Sequence, residues 1–199
     1  ASHDVLGYDE EVRAVLVRVY VVGRQREGGE DVSTYLMALF PERQGGYLLR
    51  ARLFALQGSL EESLVMFEEA RARPSESQVG VSLETLSLLA RTRQWDRFES
   101  LAGELRSAVR ESELYRGQFH KIMAERERMR GRYFPALTEL DQAEEASPFD
   151  VDVPLRKAHI LMKLDAADKA AAEYRKALKI DPRCTRAAEG LRSLGVTGP

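Results

Sequence analysis

A 34-residue self-similarity in the C-terminal half constrains this chain more than any other feature. Pro148 and Pro182 stand 34 residues apart. Five residues before each is an alanine, Ala143 and Ala177, and eight before each is a bulky side chain, Leu140 and Tyr174. Twelve before each is another alanine, Ala136 and Ala170, and twenty-four before each a third, Ala124 and Ala158. Gly131 and Asp165 occupy the matching turn. A fixed lag of this length, with small and bulky residues at helical spacing, describes stacked units that bury their core against their neighbours.

The pattern resembles the tetratricopeptide repeat (TPR) family, whose unit is a helix–turn–helix. Small residues suit the crossing of the two helices in one unit, where backbones approach closely. Bulky residues fill the space between units. Glycine accepts positive φ at the turn, and proline ends the second helix. The same template reads back onto Tyr47, Ala51, Phe54, Gly58, Phe67, Ala70 and Pro74, with Ser63 in place of a small alanine. Trp95, Phe98, Ala102 and Leu105 align with Tyr133, Ala136, Leu140 and Ala143 only at a lag of 38, which puts about four extra residues near Arg110 to Gln118. Phe98 then stands where the family has a small residue.

The resemblance implies an all-α chain: a right-handed α-solenoid of about four hairpins plus a C-terminal capping helix. The expected layout is one superhelical domain over 5–194. It comprises a diverged hairpin at 5–42, a repeat at 45–75, a degenerate repeat at 79–110, repeats at 117–150 and 151–184, and a capping helix at 185–194. The first hairpin is the least regular. Val15, Val17, Val19 and Val21 alternate as in a strand, while Val12, Val15, Leu16, Val19 and Val22 share a helical face. Local propensity favours the strand. The absence of a second alternating run favours the helix, because a lone strand has no partner. Gly23 to Gly29 reads as a polar loop, followed by a helix with Tyr35, Leu36, Leu39 and Phe40 as its apolar face.

Composition narrows the function. The 199 residues carry 30 basic and 32 acidic side chains, so no overall basic field draws in nucleic acid. The one cysteine, Cys184, builds neither an internal disulfide nor a thiolate zinc site, and it reads as a small residue packed against the last repeat. No glycine-rich phosphate loop, zinc-protease helix or nucleophile elbow is present. No catalytic residues, metal ligands or cofactors are therefore expected, and no apolar run is long enough to insert into a membrane. The expected location is cytoplasmic, or periplasmic if a leader has been removed from ahead of Ala1. Glu61–Glu62, Glu68–Glu69 and Glu144–Glu145 read as solvated outer faces.

What the resemblance implies is binding. TPR chains form a concave groove from the first helix of each hairpin, and the candidate groove residues are Arg52, Lys121, Glu125, Arg128, Met129, Leu155, His159, Met162 and Lys163. The mixture of basic and apolar side chains suits an amphipathic, acidic peptide or helix of a protein partner within a hetero-complex. The subclass that captures C-terminal carboxylates has lysine and asparagine at set positions. Leu48 and Arg52 stand there instead, which disfavours it. The stretch from Val12 to Ala70 is also similar in order to needle-subunit chaperones of type III secretion. That similarity implies the alternative role, a chaperone shielding an amphipathic segment of a client.

Overall fold

The computed structural model describes the backbone of residues 26–74 and 78–195, with side chains from Val32 onward. Among the described residues every regular element is helical: α1 (Arg26–Leu39), α2 (Gly45–Gln57), α3 (Leu60–Arg71), α4 (Gln78–Arg91), α5 (Trp95–Ala108), α6 (Glu113–Met129), α7 (Tyr133–Ala146), α8 (Asp152–Lys163), α9 (Ala167–Ile180) and α10 (Thr185–Ser193). The chain divides into two compact units, Ala1–Leu105 and Arg106–Pro199. The valine-rich stretch at 12–22, with its choice between strand and helix, lies outside the described residues.

Four turns repeat one device. Gly58 (φ +87°), Arg93 (+56°), Gly131 (+72°) and Asp165 (+55°) are left-handed. In each case the next N–H reaches back five residues: Ser59 to Phe54 O, Gln94 to Leu89 O, Arg132 to Glu127 O and Ala166 to Leu161 O, at 2.9–3.0 Å. These bonds satisfy carbonyls that the helix end leaves open, and they reverse the chain in very few residues.

In the first unit, Ala51 and Ala70 are fully buried. Ser63 is buried too, and its hydroxyl donates to Ala51 O at 2.7 Å, so the polar replacement for alanine is satisfied. α1 corrects the expected loop: it begins at Arg26 and runs through Gly28 and Gly29. Its apolar face is also narrower than expected. Leu36 is buried against Leu49, with Val32 and Phe40 beside them. Tyr35 and Leu39 stand 45% and 49% exposed. In α5, Phe98 is completely buried and lies edge-on to Trp95. The small residue the family places there is recovered one turn later as Ala102, where α7 has Leu140. Large and small have changed places, which keeps the filled volume nearly constant.

The second unit opens with a single 3₁₀ turn, Val109–Glu111, and Ser112, whose Oγ caps α6 by accepting from Tyr115 N. The extra residues inferred near Arg110 are absorbed there and in the unusual length of α6. Ala124, Ala136, Leu140, Ala143, Val153 and Ile160 form one core cluster. Leu155, Ala177, Cys184 and Ala187 form the next, seating α10. Ala170 is buried and Ala172, two residues on, is exposed, as the expected crossing requires.

Candidate functional site

In the second unit, α6, α8 and α10 border an open cleft of about 320 Å³. α6 contributes Ala124, Glu125 and Arg128; α8 contributes Asp152, Leu155, Arg156, His159 and Ile160; α10 contributes Arg186. Leu140 from α7 and Tyr174 from α9 close the floor. The charged residues share faces because they fall three or four apart along their helices.

Around this apolar floor runs a string of alternating charge. The Arg128 guanidinium donates twice to Glu125, at 2.8 and 2.5 Å. Arg156 Nη1 lies 3.8 Å from Glu125, and Arg156 Nε donates to Asp152 at 2.6 Å. Arg186 Nη2 lies 3.8 Å from the other oxygen of Asp152. The Arg128 hydrogen bonds hold the Glu125 carboxyl below its ordinary range against its partial burial; the charges of Arg128, Arg156 and His159 reinforce them. Counting guanidiniums and carboxylates alone, with His159 set aside, three against two leave one positive charge in excess beside the floor.

Of the residues expected in a groove, Glu125, Arg128, Leu155 and His159 come together here. Leu155 is a correction in kind: it is almost fully buried against Ala177, Cys184 and Ala187, so it floors the cleft and does not project from it. Lys121, Met129, Met162 and Lys163 do not line the cleft. Lys121 is bound to Asp150 at 2.6 Å, and Met162 and Lys163 are exposed. Arg52 belongs to the first unit, where it makes a two-point pair with Glu84 at 2.9 and 2.5 Å. Several basic side chains between Lys121 and Arg132 are held in ion pairs. Glu127, buried, pairs with Arg126 and with Arg132.

Asp152, Arg156 and Arg186 are not among the residues that the sequence singles out, and Tyr174 is marked there only as a bulky residue of the repeat. The first two form an i,i+4 stripe with His159 one turn on, one position away from the expected stripe through Leu155. Arg186 escapes notice because α10 carries the sequence signal of a cap. A further correction concerns the acidic pairs. Glu144 is only partly exposed and is paired: it accepts from Lys157 at 2.6 Å and also pairs with Lys176. Lys157 is only 6% exposed and reaches Asp141 at 2.5 Å as well. Burial opposes ionisation of Glu144, yet the hydrogen bonds from Lys157 and Lys176 outweigh it and hold the carboxyl low. Glu173 beside them is pushed up by burial, and its Oε2 has no hydrogen-bond partner.

Among the described residues no cluster of His, Cys, Asp and Glu is placed to hold a metal ion. No helix among them is long and apolar enough to cross a membrane.

No family model matches the sequence, and no curated relative does. Solved structures do match. PilF of Pseudomonas aeruginosa superimposes with a TM-score of 0.71 at 14% identity, covering 94% of this chain and 82% of that one. A thermophilic TPR protein of Thermus thermophilus gives 0.68 at 19% identity, covering 93% and 98%. YrrB, described as a TPR protein with an unusual peptide-binding site, gives 0.54 at 16% identity, covering 90% of each chain. The fold is therefore the TPR fold, an all-α array of helical hairpins.

Proposed function

We propose that the chain is a non-enzymatic interaction module that holds a peptide or amphipathic helix of a protein partner in the cleft of its second unit, as a subunit of a larger assembly. The observation that carries this reading is the apolar floor of Leu155, Ile160 and Tyr174 beneath a rim of arginines. An apolar floor gives affinity, and a few placed polar groups give orientation. The peptide site of YrrB lends support by analogy of fold.

Site-specific photocrosslinking tests it. A photoreactive residue is placed at His159, and a control at Glu69 of α3, outside the cleft. Each protein is then exposed to extract from the native source. Adducts with one defined chain from position 159, and none from 69, are expected. Adducts from 69 alone would move the binding surface off the cleft.

A further inference from the structure

We infer that Arg186, on α10, is the residue that takes an acidic side chain of the bound segment, so that the last helix is a wall of the site and not only a cap. The inference rests on the cleft being the binding site.

The three arginines of the cleft differ in what each would give up to grip a ligand. Arg128 is chelated by Glu125 through two short hydrogen bonds. Removing it would strand a half-buried carboxylate, which is strongly unfavourable. Arg156 is committed to Asp152 at 2.6 Å and leans on Glu125 as well. Arg186 has only the 3.8 Å approach to Asp152, beyond hydrogen-bond length, and its side chain is 68% exposed. It can turn its fork to an incoming carboxylate and leave Asp152 with its better partner, Arg156. The planar guanidinium suits such two-point recognition.

A second, independent observation fixes α10 in place. Gly190 lies against the ring of Tyr174: a Cβ there would come within 2.4 Å of the ring carbons. Only a residue without a side chain lets the helix sit this close. Gly190 is one turn beyond Arg186, so the face that rests on Tyr174 also carries Arg186, and Tyr174 is itself part of the cleft floor. Cys184 and Ala187 lock the start of the helix into the core. The seat of α10 therefore presents one exposed guanidinium beside an apolar surface. The matching ligand is a segment with a carboxylate next to an apolar side chain.

The test pans a displayed library of random short peptides on the full chain, then measures binding of the enriched peptides to Arg186→Gln, Arg186→Lys and Arg175→Gln. Arg175 is exposed on α9, outside the cleft, and controls for loss of one positive charge. The wild-type protein is expected to enrich peptides that join an acidic to an apolar residue. R186Q should bind them about three- to tenfold more weakly and lose its preference for acidic over amide side chains. R186K should recover part of the loss, and R175Q should bind as wild type. If the wild type enriches no acidic–apolar peptide, the cleft reading itself falls. If such peptides are enriched but R186Q binds them unchanged, or R175Q loses as much, the assignment of Arg186 falls and the cleft reading stands.

Discussion

Two of the four left-handed turn positions are glycine, and the other two are Arg93 and Asp165. A left-handed residue with a Cβ costs about 1–2 kcal/mol, part of which glycine returns through the greater freedom it loses on folding. Arg93→Gly is therefore expected to stabilise the protein by roughly 0.5–1 kcal/mol, read as a higher midpoint in urea denaturation. Asp165→Gly should gain less, because aspartate tolerates this conformation better. Residues of this kind set the limit of legibility. Ala136, Ala143, Ala170 and Ala177 announce their crossings because a crossing admits little else. Arg93 announces nothing: the flanking helices impose its turn, and the side chain points to no preference of its own. The cleft is half legible for a related reason. Helical spacing yields Glu125, Arg128 and His159, while the neighbouring stripe through Asp152 and Arg156 differs from the expected one by a single position, and only packing decides between them.

The element with the most at stake is α10. Removing everything after Arg183 would take away Ala187 and Leu191 and uncover Leu155 and Ala177 in the α8–α9 hairpin. An end repeat with no neighbour exposes apolar surface, so the truncated chain is expected to elute as higher-order species in size-exclusion chromatography where the full chain runs as one species. A truncation that runs as the full chain does would show α10 to be dispensable for folding. At this scale the sequence is most informative where helices repeat in register, from α6 to α9. It is less so in α5, where Phe98 and Ala102 exchange roles. Reading each position alone makes Phe98 an anomaly. Reading the pair shows one volume kept by two altered residues. The start of α1 is hidden because Gly28 and Gly29 signal a break that the helix overrides.

Across the whole molecule, acid and base act on different carboxylates. Glu125 and Glu144 have folded-state pKa values below the ordinary one, so their stabilisation is complete above the unfolded value and is lost as pH falls through the folded value. Glu173 is shifted the opposite way, so its contribution is fully present below the unfolded value and is lost as pH rises through the folded one. Glu144→Gln is thus expected to lower the melting temperature at neutral pH and to matter less in acid. Glu173→Gln, which removes a carboxylate with a buried, unpartnered oxygen, should raise stability at neutral pH by up to about 1 kcal/mol and bring no gain in acid. Thermal melts of both variants across the acidic and neutral range check the two signs together.

The alanines at the crossings have a consequence for descent. They ask only that a side chain be small, and the positions between them ask only that it be bulky, so the architecture constrains volumes more than identities. The side chains around the cleft, such as Arg186 and His159, take no part in those crossings. Substitutions there can accumulate while the hairpins stay intact, so a lineage of such chains can change the company it keeps without changing its shape.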